Sequence, residues 1–245
     1  LNLVIDIGNS RTKVAVLENG QIETSNIYDI FGSSQLKKIK ESYPLINKAI
    51  LSSVASSEHY KEIKSELSNK YKNFVELTSE TPLPIENLYK TKKTLGLDRL
   101  AAVIGANLIY PGNDILVIDA GTAITFDLID KNRRFLGGNI SPGLDIRFKA
   151  LSEYTGRLPK VSAAESWPLL GTSTEEAIQS GVQNGILFEV DTMIDRMKAK
   201  WPGLKIVITG GDAMLFDRKL KNTIFVNFEI TLLGLNRILE YNVEN

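Results

Sequence analysis

Cysteine is absent from the 245 residues, and histidine occurs once, as His59. The first absence excludes disulfides, thiolate catalysis and thiolate metal sites, and suits a reducing cytosol. Together with the first, the second removes the usual sulfur and nitrogen donors of a zinc site, so none is expected. His59 sits in the polar run Ser56-Ser57-Glu58-His59-Tyr60-Lys61, which reads as the solvated face of a helix. An excess of either charge is also lacking: 29 basic residues balance 29 acidic ones, so the chain carries no electrostatic footprint for nucleic acid. No apolar run approaches membrane-spanning length. The chain opens at Leu1 and enters a strand directly, without the basic and apolar regions of a signal peptide. A cytoplasmic protein with neither nucleic-acid nor membrane partners is expected. With 43% hydrophobic residues it can bury one large core or two small ones.

Against that background one stretch stands out, Asp119-Ala120-Gly121-Thr122-Ala123-Ile124-Thr125-Phe126-Asp127. It follows the apolar run Ile115-Leu116-Val117-Ile118 and returns at once to β-branched residues, which predicts strand, tight turn, strand. Gly121 lets the backbone approach a ligand, Thr122 offers a hydroxyl, and successive N–H groups in such a turn form an anion-binding nest. Asp119 would hold a cation beside that anion. Leu3-Val4-Ile5-Asp6-Ile7-Gly8-Asn9-Ser10, followed by Lys13-Val14-Ala15-Val16, repeats the same grammar near the start of the chain. A third glycine turn, Thr209-Gly210-Gly211-Asp212-Ala213, follows the run Lys205-Ile206-Val207-Ile208. Two Asp-x-Gly loops and a late glycine pair resemble the actin, Hsp70 and sugar-kinase superfamily. The resemblance implies an α/β fold of duplicated ribonuclease H-like (actin-like ATPase) halves, with mixed sheets and a nucleotide cleft between them.

The intervening residues supply the rest of two such halves. A first hairpin over 1–18 turns at Asn19-Gly20 into a further strand. Helices are expected over 34–43 and 57–71, with strands over 49–54 and 74–77. Pro82 and Pro84 mark an irregular crossing, which sets the expected halves at 1–94 and 95–245. A helix over 98–109 precedes the central strand, and strands through 115–129 and around Phe135 lead to the glycine-rich Gly137 to Gly143. A helix follows Pro142-Gly143, and residues 162–168 read as loop. A long amphipathic stretch over 174–200 is expected to bend near Gly181 and Gly185. Strands over 205–209 and 223–227 and a helix over 230–241 close the chain.

Leu95-Gly96-Leu97-Asp98-Arg99-Leu100 carries a different chemistry. Arg99, at a helix start that already favours anions, is a planar double donor for a carboxylate or phosphate. Asp98 has two roles open to it. It can cap the helix, or it can accept the proton of an alcohol in line with a γ-phosphate, as phosphoryl transfer to a hydroxyl requires. Lys13 likewise can reach a phosphate or point to solvent.

Taken in order, Asp6-x-Gly8-Asn9-Ser10, Gly96-x-Asp98-Arg99, Asp119-x-Gly121-Thr122, Gly137-Gly138-x-Ile140-x-Pro142-Gly143 and Gly171-x-Ser173-Thr174 resemble the type III pantothenate kinase family. The resemblance implies an enzyme that transfers a phosphoryl group from ATP to the 4′-hydroxyl of pantothenate, the first step of coenzyme A biosynthesis. It implies Asp98 as the general base. The acceptor would be bound by Tyr89, Gly96, Leu97, Asp98, Arg99 and Thr174. ATP would be bound by Asp6, Ile7, Gly8, Asn9, Ser10, Arg11, Thr12 and Lys13, with Thr122 from the second loop. It further implies Asp119 as ligand of a monovalent cation (K+ or NH4+), Mg2+ accompanying ATP, and a homodimer. Two departures are visible: Ser10 stands where a threonine is common, and Lys90, Lys92 and Lys93 crowd the segment after Tyr89. Two other readings are a kinase of another hydroxylated acid or sugar, and a non-catalytic, ATP-binding regulatory factor.

Overall fold

The computed structural model describes residues 1–8, 11–53, 58–217 and 219–244. Asn9 and Ser10 of the first loop, and the side chain of His59, lie outside the described residues. By packing, the chain divides into two compact units: Leu1–Gly112 with Ile129–Leu136 and Glu229–Asn245, and Asn113–Leu128 with Gly137–Phe228.

In the first unit, β1 (Asn2–Ile7), β2 (Thr12–Glu18), β3 (Gln21–Tyr28), β4 (Lys48–Ser53) and β5 (Asn73–Glu76) form a sheet of order β3-β2-β1-β4-β5. β1 runs antiparallel to β2 and parallel to β4. It is central, which explains why its residues are almost continuously apolar. Asn19 and Gly20, at φ 51° and 80°, make the two-residue link that matches strand twist. The pleat sorts the strand residues between two cores. Leu3, Ile5, Val14, Val16 and Leu51 share one cluster with residues of α1 (Ser33–Ser42) and α2 (Glu58–Lys70). Val4, Ala15, Leu17 and Ile50 share the other with α3 (Leu97–Ile109) and α7 (Ile230–Glu244).

α3 and α7 meet backbone to backbone. A Cβ on Gly105 would lie 1.9 Å from the Ile230 carbonyl oxygen, and one on Gly234 would lie 1.8 Å from that of Ala101. This contact places α3 in the first unit, so the packing division differs from the expected cut at 94/95. The partner that holds α3 is at the far end of the chain.

The second sheet has the order β11-β10-β7-β8-β9-β6, built from β6 (Glu86–Asn87), β7 (Ile115–Ala120), β8 (Ala123–Ile129), β9 (Arg134–Pro142), β10 (Lys205–Thr209) and β11 (Phe225–Val226). β7 and β8 are joined by only two residues, as antiparallel neighbours can be, and β10 runs parallel to both β7 and β11. Apart from the short β6, this is the first sheet again: hairpin strands on one side of the central strand, parallel strands on the other. The expected duplication of the ribonuclease H-like half is therefore present.

The glycine-rich 137–142 segment, left without an element by its sequence, belongs to β9. α4 (Leu144–Glu153) follows Gly143 as expected. α5 (Thr174–Lys200) runs as one helix through Gly181 and Gly185. α6 (Ala213–Phe216) and the short 3-10 turn Lys92–Thr94 complete the described elements.

Candidate active site

In the first unit, Asp6 ends the central strand, buried, with Lys13 as its partner across β2 and Ser52 as its partner across β4. Directly paired residues share a face, and the alternation that sends Val4 and Ile50 toward α3 and α7 sends Asp6, Lys13 and Ser52 there as well. Lys13 is thus on the carboxylate's side of the sheet. The turn is closed by the Gly8 N–H donating to the Arg11 carbonyl at 3.0 Å. Ile7 packs into the core on the α1–α2 face, leaving its backbone for a ligand. Thr12 is buried. Arg11 and Asp29 form a surface ion pair at 3.3 Å.

The same α3–α7 face carries the start of α3, where Gly96 is the N-cap and Leu97 packs partly into the core. The Arg99 N–H donates to Asp98 Oδ1 at 2.9 Å. No other hydrogen bond to Asp98 occurs among the described residues, so one oxygen is held by backbone and Oδ2 retains its accepting capacity. Gly96 is required for this arrangement: a Cβ there would sit 2.5 Å from Asp98 Oδ1 and 3.5 Å from Arg99 Cδ. The Arg99 side chain is buried, with Cζ 5.8 Å from the centre of the Tyr89 ring. That ring leans on buried Phe135 at 6.0 Å. The Tyr89 N–H donates to Asn87 Oδ1 at 2.9 Å, and the Leu88 N–H to the Phe135 carbonyl at 3.1 Å. Tyr89, Gly96, Leu97, Asp98 and Arg99 are thus brought together. The stacking of Tyr89 on Arg99 was not foreseen, because nothing in the linear spacing reports it.

In the second unit, Asp119 stands at the end of the central strand, with Thr209 as its partner across β10. Around it the backbone forms a close cradle. The Gly121 N–H donates to the Ala123 carbonyl, and the Gly143 N–H to the Thr122 carbonyl, both at 3.0 Å. A Cβ on Gly143 would lie 2.0 Å from the Gly121 oxygen. Gly210, at φ 96°, would place one 2.3 Å from the Ala120 oxygen and 2.5 Å from Asp119 Oδ1. The Asp212 N–H donates to the Ala120 carbonyl at 2.9 Å, which fixes the glycine-pair turn beside the Asp119 loop. Burial, together with the negative charge of Asp145 in the first turn of α4, pushes the Asp212 carboxyl above the ordinary carboxylate range. Sequence reasoning missed these two acids as a pair.

This acidic, glycine-lined cradle suits a cation. Yet among the described residues no three His, Cys, Asp or Glu side chains are grouped to hold one. A cation here would take its remaining ligands from backbone, water and phosphate oxygens, as Mg2+ bound with a nucleotide does.

Thr174 is the exposed first residue of α5. Ser173 caps that helix, accepting from the Glu176 N–H at 3.2 Å, and Glu176 in turn accepts from the Thr172 N–H and hydroxyl at 2.8 Å each. The loop before it is held by α5 side-chain amides. Gln183 bonds both the N–H and the carbonyl of Ala164, at 3.0 and 2.9 Å, and Asn184 accepts from Trp167 Nε1 at 2.8 Å.

The sequence profile of type III pantothenate kinase matches residues 2–196. This chain belongs to that family. It is 46% identical over 247 residues to the type III pantothenate kinase of Phocaeicola vulgatus and 45% identical over 246 residues to that of Bacteroides fragilis. The first alignment covers 99% of both chains, the second 99% of this chain and 98% of the relative. Among solved structures, a Baf-family transcriptional activator from Campylobacter jejuni is similar, with a TM-score of 0.61 and 25% identity over 99% of this chain and all of that one. A glucokinase from an Antarctic psychrotroph matches with a TM-score of 0.53 and 12% identity over 98% of each chain, a likeness of fold alone. A type III pantothenate kinase with this fold presents its Asp-x-Gly loops at the ends of central strands, and its Gly-x-Asp-Arg loop at the head of a helix.

Proposed function

We infer that the chain phosphorylates pantothenate to 4′-phosphopantothenate with ATP, the first step of coenzyme A biosynthesis, with Asp98 as general base. The observation that carries the assignment of the base is the single backbone bond to Asp98 Oδ1, which orients the carboxylate and leaves Oδ2 for the 4′-hydroxyl proton. As the proton leaves, the hydroxyl oxygen attacks the γ-phosphorus, the bond to the β–γ bridging oxygen breaks, and ADP departs. Arg99, held by Tyr89, supplies a fixed charge for the acceptor, and Gly96 and Leu97 supply backbone beside it. Thr174, the exposed first residue of α5, is assigned to the acceptor from the resemblance to the family's motif.

The phosphate contacts are assigned to Asp6 through Lys13 in the first loop and to Thr122 in the second. Lys13 shares the face of Asp6, which supports its role, whereas Arg11 is paired with Asp29 at the surface. Mg2+ would enter with ATP and neutralise developing charge on the phosphates. A monovalent cation, K+ or NH4+, is assigned to Asp119, whose Oδ1 borders the glycine turn at Gly210.

A homodimer fits the apolar surface of the second unit, where Ile140, Tyr154, Leu169, Leu170 and Phe188 are each more than half exposed. α5 adds a face of small residues at Ala177, Gly181 and Gly185 on which a partner could pack closely. No described helix is long and apolar enough to cross a membrane. We place the reaction in the cytoplasm, where ATP is available.

The likeness to a Baf-family activator favours a second reading, an ATP-binding factor without turnover. Incubation of the chain with pantothenate, ATP, Mg2+ and K+, followed by mass spectrometry, separates the two. Formation of 4′-phosphopantothenate with matching ADP supports the kinase. ATP binding without product supports the factor.

A further inference from the structure

The segment between Tyr89 and Gly96 is unusual within a chain of zero net charge. From Glu86 to Arg99 there are four basic residues and two acidic ones, and three of the basic residues are Lys90, Lys92 and Lys93. All three are exposed, and none has an ion-pair or hydrogen-bond partner for its ammonium group among the described residues. Arg99, by contrast, is buried against Tyr89.

The lysines are held in place by the backbone beneath them. The Tyr89 N–H is tied to Asn87 at one end. The turn Lys92–Thr94 is closed by the Thr94 N–H and hydroxyl donating to the Thr91 carbonyl, each at 3.1 Å. Leu95 is buried at the other end. Chain geometry then limits the distances: Lys90 follows Tyr89 directly, and Lys93 is three residues from Gly96, at most about 11 Å along an extended chain. That is about one Debye length at 0.1 M salt. The patch therefore lies within electrostatic reach of the residues assigned to the acceptor, without being part of them.

We propose that Lys90, Lys92 and Lys93 form a cationic patch that raises the local concentration of an anionic acceptor. Preference for a carboxylate-bearing acceptor over a neutral one is then set in part outside the loop that holds the reacting hydroxyl. The inference rests on the kinase reading above. Its physical basis is long-range attraction to exposed ammonium groups, so it acts on KM, weakens with salt, and ignores uncharged acceptors.

The test compares the full chain with Lys90→Gln/Lys92→Gln/Lys93→Gln, three surface changes that leave the turn's backbone bonds intact. Two acceptors are used: pantothenate and an N-alkyl pantothenamide, in which a neutral amide replaces the carboxylate. In low salt the triple variant is expected to raise KM for pantothenate about fivefold, with kcat unchanged, the difference closing at about 0.5 M salt. KM for the amide stays unchanged, and lysine-to-glutamate changes at the same positions raise KM for pantothenate further. An unchanged KM for pantothenate, or an equal rise for both acceptors, overturns the inference while wild-type turnover keeps the kinase. Absence of product from the wild type with pantothenate removes the kinase reading and the inference together.

Discussion

Thr209 is the register partner of Asp119 across the parallel β10–β7 pairing, as Ser52 is of Asp6 across β4–β1. Both hydroxyls are buried and take no hydrogen bond among the described residues. Each half thus sets a carboxylate beside an unused hydroxyl at the carboxyl end of its central strand, the end at which open α/β sheets bind ligands. Removing an unpaired buried hydroxyl costs little stability. Thr209→Val is expected to keep the thermal midpoint within a few degrees, and Asp119→Ala to raise the K+ concentration needed for half-maximal activity at least about tenfold. Titration of activity with KCl, alongside thermal melts, checks both. An Asp119→Ala enzyme with unaltered K+ dependence would remove the cation from that loop.

Gly96→Ala tests how tightly Asp98, the proposed base, is placed. The backbone at Gly96 (φ −58°) accepts alanine without strain, so stability should fall by less than about 1 kcal/mol. The new methyl would meet Asp98 Oδ1 at 2.5 Å, however, and must displace the carboxylate. We expect a fall of about tenfold to a hundredfold in kcat, with thermal stability little changed. Steady-state kinetics and calorimetry on the same preparation separate the two effects.

Gly234→Ala should have the opposite profile. Its Cβ would come within 1.8 Å of the Ala101 carbonyl, in a helix pair with no flexible side chain to yield. A loss of about 3 kcal/mol is expected from overpacking, or roughly 6–12 °C in thermal midpoint. Thermal denaturation reads this directly, and a melt unchanged to within a degree would contradict the backbone contact of α3 and α7.

The acid limb of stability should include Asp130. Burial alone would raise its carboxyl pKa, but the Arg134 side chain and the N–H groups of Arg134 and Asn132 outweigh burial and hold it below the ordinary range. Its folded-state pKa is therefore lower than its unfolded one. The stabilisation is complete above the unfolded value of about 3.9 and is lost as pH falls through the folded value. Asp130→Asn should cost about 1–3 kcal/mol at pH 7, and the gap from wild type should narrow below about pH 4. Denaturant melts across pH 2.5–7 check this, and a gap that widens in acid would reverse the sign.

Much of this was legible in the chain. The apolar runs ending in Asp6 and Asp119 announced both central strands, because a strand covered on both faces must be apolar throughout. The Asn19-Gly20 turn was readable from its dipeptide alone. The 137–142 segment was not, since Gly-Gly-Asn-Ile-Ser-Pro carries no alternation, and its strand character comes from the neighbour that it pairs with. Glycines at 181 and 185 suggested a bend in α5, but Ile178, Val182, Ile186, Val190 and Ile194 bury one continuous stripe, and packing overrides local propensity. The membership of α3 in the first unit depends on α7, more than a hundred residues away, and the Asp145–Asp212 repulsion on two separate turns. Neither leaves a mark in local spacing.

The account turns on Asp98, and the most direct measurement is the single-turnover rate of phosphoryl transfer in Asp98→Asn with both substrates saturating. Asparagine keeps the shape and can still accept the Arg99 N–H, but it cannot take a proton from the 4′-hydroxyl. The predicted result is a rate lower by about a hundredfold or more, with pantothenate binding within a few fold of wild type. A variant that transfers phosphate at the wild-type rate would contradict the account and leave Asp98 as a helix-capping residue.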